Sequence, residues 1–163
     1  MKIHFFKMKY IQSLLGTKPI YFLLTSFALM NFSCAVAADA AGMVKTLKGA
    51  ATIERGVSRL PVTVGAVVYP KDRIVTGPQS AVGLTLKDNT QLTLGANGEM
   101  DLNKFSFNTT SHAGELNSTV KRGSLSVISG KVAKANPNAV QFNTGTVTLG
   151  VRGTEFIIEA GED

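Results

Sequence analysis

The feature that most limits what this chain can fold into is the spacing of its glycines. Beyond Ala37 they fall at Gly42, Gly49, Gly56, Gly65, Gly77 and Gly83, and later at Gly114, Gly123 and Gly130. That interval is close to one short strand plus one turn. The stretches between them are rich in β-branched residues: Val, Ile and Thr make up 33 of the 126 residues after Ala37. Such side chains suit a pleated sheet and lose χ1 freedom in a helix. No window of 12 residues there combines helical periodicity with caps. The pattern predicts one all-β domain of short strands, β-roll or solenoid-like, with a β-sandwich as the alternative.

Strands are expected at Met43–Leu47, Ala51–Arg55, Pro61–Val68, Arg73–Thr76, Val82–Leu86, Gln91–Leu94, Glu99–Leu102, Phe105–Phe107, Leu116–Val120, Ser124–Ile128, Val140–Asn143, Thr146–Val151 and Glu155–Glu159. The polar run Asn108–Ser118 reads as a loop with ragged strand ends, the most mobile part of the domain. The clearest alternation is Val82, Leu84 and Leu86 followed by Leu92 and Leu94. Opposed residues of an antiparallel pair point to the same face. Pairing Leu86 with Leu92 therefore calls for a three-residue loop, Asp88 to Thr90, closed by Lys87 and Gln91.

Residues 1–37 have the layout of a secretory signal: Lys2, Lys7, Lys9 and Lys18, then an apolar stretch of 11 residues from Ile20 to Met30, then Ala35-Val36-Ala37. A membrane-spanning helix needs roughly 20 apolar residues, so the stretch is short for a span. Cleavage is expected after Ala37, between Ala37 and Ala38, with 38–41 a short linker, 42–160 the domain and 161–163 a tail. A lipid-anchored Cys34 is the lesser alternative, because bulky Phe32 stands where a small residue is wanted. Cleavage changes the charge argument. The whole chain carries +6, but residues 1–37 hold four Lys and no acid, which leaves 13 basic and 11 acidic residues, or +2. A charge that small leaves no electrostatic footprint for nucleic acid. The adjacent pair Lys121-Arg122 has no aromatic neighbours for base stacking and reads as a solvated strand end. The single cysteine precedes the cut, which suits an oxidising compartment.

Several short segments, taken in order, carry a resemblance. They are Lys71-Asp72-Arg73-Ile74-Val75-Thr76-Gly77, Lys87-Asp88-Asn89-Thr90, Lys121-Arg122-Gly123-Ser124-Leu125, Ser129-Gly130-Lys131-Val132 and Val151-Arg152-Gly153-Thr154-Glu155-Phe156. Together they resemble the FecR domain family across about Gly42 to Ile158. The resemblance implies an all-β roll that mediates protein contacts and has no catalytic centre. The family takes its name from a membrane regulator of iron-citrate uptake in Gram-negative bacteria, with a cytoplasmic anti-sigma segment. Here a cleavable-looking signal occupies that place, so the resemblance implies an exported, stand-alone FecR-like domain in the periplasm or secreted.

The motif residues Asp72, Thr76, Gly77, Asp88, Gly123, Gly130, Arg152, Gly153, Thr154 and Phe156 are read as structural. A glycine permits a positive φ or a close backbone approach, a carboxylate steadies a turn, and the fork of Arg152 satisfies loop carbonyls. His112 sits in a polar run with no nucleophile elbow anywhere in the chain. Glu99 and Asp101 share a strand face and read as a solvated edge rather than an acid–base pair. No metal-ligand spacing or phosphate loop occurs, so neither metal nor cofactor is expected. The last strand offers a possible partner edge at Glu155, Ile157 and Glu159. The expected function is a non-catalytic, protein-binding or envelope-sensing module whose partner is another envelope or surface protein. The alternative is a cell-wall or carbohydrate-binding module. Its aromatic candidates, Tyr69, Phe105, Phe107, Phe142 and Phe156, lie in alternating contexts that read as core.

Overall fold

The computed structural model describes residues 39–145, 147–150 and 155–161. The expected cleavage residues Ala37 and Ala38 lie outside the described residues, as do Arg152, Gly153 and Thr154. The all-β expectation holds. The strands are β1 (Gly42–Lys48), β2 (Ala51–Arg55), β3 (Ser58–Pro61), β4 (Val67–Val68), β5 (Arg73–Thr76), β6 (Ala81–Leu86), β7 (Gln91–Leu94), β8 (Glu99–Phe107) and β9 (Gly114–Ile128). One short helix, α1 (Lys131–Ala135), and a 3-10 turn (Pro137–Ala139) precede β10 (Val140–Asn143), β11 (Thr148–Gly150) and β12 (Glu155–Ala160). They form one curled sheet in the order β3-β2-β5-β8-β9-β7-β6-β1-β4, with β10 and β12 also paired to β9 and β11 paired to β10. The strand pairs are antiparallel except for β9 with β10.

The registers show how the curl arises. β8 and β7 lie end to end along β9: Met100 faces Val120, and Leu94 faces Leu125. β5 and β6 flank β8 and β7 in the same way, and β2 and β1 flank β5 and β6. Three interrupted strands and β9 therefore pass through both halves of the sheet. The interruptions are Gly49–Ala50, Gly77–Ser80 and Gly95–Gly98. They meet in one seam, where strands change direction as at the corner of a β-roll. Backbone groups released there find partners across it. The Gly77 amide donates to Ala50 O (2.9 Å), Asn97 N to Gly77 O (3.1 Å) and Gly95 N to Ser124 O (2.8 Å). On β9 the bend falls at Gly123, whose φ is +84°. A Cβ at that position would lie 2.7 Å from Gly98 Cα. Glycine is required there both by conformation and by the approach of a second backbone.

The inward faces close over a single apolar core. Ile53, Ile74, Met100, Leu102, Leu116 and Val120 line one half, and Val44, Leu84, Leu92, Leu94, Leu125 and Val127 the other. Phe142 and Ile158, from strands on the far side of β9, complete it. Each fully buried aliphatic side chain contributes about 1.5–3 kcal/mol.

The structure departs from the expected strands in four places. Pro61–Val68 is not one strand. β3 ends at Pro61, which has no N–H for a ladder, and a turn closed by Ala66 N to Thr63 O (3.0 Å) follows, with Gly65 at φ +88°. The pairs expected around Asn103 and Gly123 are continuous strands, β8 and β9, each bent rather than broken. The polar run, expected as a loop with ragged strand ends, gives way to strand at Gly114, two residues before the expected start at Leu116. Only Asn108–Ala113 connects, and within residues 114–118 Leu116 and Ser118 point inward. Buried Ser118 donates its hydroxyl to Asp101 O at 2.9 Å, so a polar residue can occupy an inward position. The hairpin register is displaced by two residues: Leu84 faces Leu92, and the three-residue loop is Lys87–Asn89, closed by Leu86 N to Thr90 O. A slip of two keeps every apolar face inward. It also places Asn89, at φ +68°, in the left-handed loop position that β-branched Thr90 would resist.

Two glycines with similar φ separate the two causes invoked for the seam. Gly65 has open space where a Cβ would sit, and Gly123 does not. Gly65→Ala should cost about 1 kcal/mol of stability and Gly123→Ala at least about 2 kcal/mol. Equal losses in urea unfolding would remove the seam contact as a cause.

Candidate functional site

Two buried carboxylates organise the loops. Asp88, in the β6–β7 loop, is 0% exposed. Its Oδ1 accepts from Thr90 N (3.0 Å), and its Oδ2 accepts from the Thr90 hydroxyl (2.7 Å) and Val132 N (3.3 Å). Its main-chain O takes Lys131 N at 2.8 Å. The structure thus brings Asp88 against Gly130, whose N donates to Thr90 Oγ1 at 3.1 Å. A Cβ on Gly130 would strike Asp88 O and Thr90 N. The arrangement ties a hairpin loop to the segment that follows β9, 44 residues further along the chain. Both carboxyl oxygens of Asp88 accept bonds from within the protein.

Asp72 is 1% exposed and sits beneath the tip of β2. Arg55 grips it with both arms, Nε to Oδ1 and Nη2 to Oδ2, each at 2.7 Å. Tyr69 N adds a third bond at 2.8 Å, and the guanidinium lies 4.4 Å from the Tyr69 ring centroid. The hydrogen bond to Asp72 holds the Arg55 pKa above its ordinary value. Arg55 was not identified from the sequence as a site residue. An Arg at a strand end carries no signal of a partner 17 residues away.

Thr76 belongs to the seam. Its hydroxyl donates to Gly95 O and accepts from Gly98 N (2.8 Å), while its own N donates to Gly98 O (2.9 Å). Gly77 and Gly123 bound the same seam. Phe156 meets Phe142 edge to face at 5.5 Å. His112 stacks on Phe107 at 6.1 Å. Phe142 is fully buried, and Tyr69, Phe105, Phe107 and Phe156 are half-buried.

Glu99 and Asp101 do share a face, but β8 is an inner strand rather than an edge. Arg73 lies between the acids, 2.6 Å from Asp101 and 3.4 Å from Glu99, and Lys121 reaches Asp101 at 3.2 Å. Glu54 and Arg59 extend this charge ladder to the β3 edge. Partial burial pushes the Asp101 carboxyl up, but hydrogen bonds and charge from Arg73 and Lys121 outweigh it and hold the pKa below the ordinary value. A carboxyl held ionised in this way is a poor general acid at neutral pH.

On the opposite side of β9, β12 pairs from Glu155 with Ile128 to Ala160 with Gly123. Among the described residues no strand covers its other edge. Glu155, Ile157 and Glu159 point outward and are exposed, while Ile158 is buried. Ile128, 40% exposed beside Glu155, belongs to the same patch and was not named as a site residue; it reads as an ordinary core position until the strand pairing is known.

The geometry defines an all-β scaffold whose buried polar groups hold turns and corners, with its exposed features on a sheet face and a sheet edge. A family model described as FecR protein matches residues 72–163, and the chain belongs to the FecR family. That family is regulatory, non-enzymatic and associated with the bacterial envelope. No curated protein and no solved structure matches the chain. Among the described residues no helix is long and apolar enough to cross a membrane.

Two stability measurements test these assignments. Asp88→Asn exchanges an acceptor for a donor opposite buried donors and should cost about 2–3 kcal/mol, against less than about 0.5 kcal/mol for exposed Asp39→Asn. Comparable urea midpoints would refute the Asp88 role. Asp101 has a depressed folded pKa, so its contribution is present above its unfolded value of about 3.9 and lost as pH falls below that. Asp101→Asn should flatten the stability profile below about pH 4; parallel profiles for wild type and variant would contradict it.

Proposed function

We propose that this chain is an exported FecR-family domain that works by docking another envelope or surface protein, without bond chemistry, and that the open edge of β12 is where docking occurs. Export is supported by the signal-like layout of residues 1–37, with cleavage after Ala37. The single observation that carries the docking reading is the edge itself. β12 is six residues long, whereas β4 has two, β11 has three and β3 has four and ends in Pro61. An edge of that length offers a row of backbone donors and acceptors to an incoming strand.

Ile157 is 68% exposed, so Ile157→Lys should leave stability within about 0.5 kcal/mol and block edge pairing with a gatekeeper charge. Crosslinking in envelope extracts should capture a reproducible partner with the wild type and about tenfold less with the variant. Equal capture by both would remove the edge from the proposal. Export has its own check: N-terminal sequencing of the envelope fraction should begin at Ala38. Intact precursor confined to the cytosol would exclude it.

A further inference from the structure

We infer that the β12 edge selects its occupant by charge: it takes an extended segment with an aliphatic residue at its centre and Lys or Arg two residues to either side. This inference rests on the edge-docking reading and specifies the partner's chemistry. Along β12 the outward residues are Glu155, Ile157 and Glu159, all exposed. On the same face Ile128 lies diagonal to Ile157: it is opposite Glu155 and two residues from Ser126, which is opposite Ile157. The outward face at this edge is therefore acid, aliphatic, acid, with a second aliphatic side chain supporting the centre.

An added antiparallel strand sets each outward side chain directly opposite one of these, with Cβ atoms about 4.5–5.5 Å apart. An aliphatic residue opposite Ile157 continues the patch made with Ile128. Basic residues two positions away meet Glu155 and Glu159. The intervening residues point inward beside half-buried Phe156 and buried Ile158, so they are apolar as well. The resulting pattern is basic, apolar, aliphatic, apolar, basic. The same geometry disfavours a second copy of this chain. With β12 against β12, centred on Ile157, Glu155 faces Glu159 twice, and like charges directly opposite are destabilising.

The test uses the purified full chain and three fluorescent peptides: Ser-Lys-Val-Ile-Val-Lys-Ser, its analogue with Glu for both Lys, and a scrambled basic peptide with the alternation destroyed. The basic alternating peptide should bind about tenfold or more tightly than the acidic one at low salt, with the gap narrowing at 0.5 M salt, as surface pairing requires. The double variant Glu155→Lys with Glu159→Lys should reverse the preference. A reversal cannot come from damage to the fold, and both residues are exposed. Equal binding of the basic and acidic peptides, or tight binding of the scrambled one, would overturn the charge selection while leaving edge docking intact. If no peptide binds and none slows hydrogen exchange of the β12 amides, both the selection and the docking reading fail. A dimer in sedimentation that Ile157→Lys abolishes would assign the edge to a second copy and overturn the proposal.

Discussion

Everything in this molecule depends on getting four strand paths around one corner without stranding backbone polar groups. A buried amide or carbonyl without a partner costs about 1–3 kcal/mol, and the seam releases several at once. They are recovered in a chain of contacts from Ala50 through Gly77 and Asn97 to Gly95 and Ser124. Thr76 supplies the hydroxyl that both accepts from Gly98 N and donates to Gly95 O. The close approach of Gly123 to Gly98 then sets how tightly the two halves of the sheet can fold toward one another. The core fills the space that this angle creates.

The buried carboxylates act at the ends of the same design. Asp88 holds the β6–β7 loop to the start of α1, and Asp72 holds the β4–β5 connection to the tip of β2. A buried polar group is costly unless it is hydrogen-bonded, and both oxygens of each acid accept bonds from within the protein. The charge ladder on the outer face behaves similarly, since Arg73 and Lys121 neutralise Glu99 and Asp101. Among the described residues, the outer edge of β12 keeps its backbone groups without a strand partner.

How much could be read beforehand varied with the kind of interaction involved. Gln91–Leu94 and Val140–Asn143 could be bounded from alternation, because their inward and outward faces differ in polarity, while Ala51–Arg55 and Arg73–Thr76 were bounded by β-branched runs beside glycine turns. Parity placed the leucines of the β6–β7 hairpin on the right face, but parity is indifferent to a shift of two, and the preference of Asn89 for the left-handed loop position decided the register. The start of β9 at Gly114 and Glu115 escaped because neither residue is apolar, so the alternation is first visible at Leu116. Ser118 faces inward by alternation with Leu116 and Val120, and its bond to Asp101 O satisfies the buried hydroxyl there. Asp72 stood out as a turn carboxylate, while Arg55, which grips it, did not.

By itself the sequence determined the class of structure: β-branched runs cut by glycines can bury their apolar faces only as short paired strands. It also determined which residues carry the family motifs. Tertiary structure alone decided that separate glycines meet in one seam, that Asp88 and Gly130 touch, and that Ile128 of β9 shares an exposed face with Ile157 of β12. The physical reason is range. Side-chain alternation is a local property with a period of two, whereas a seam, a buried ion pair and a sheet edge exist only when segments far apart in the chain lie side by side.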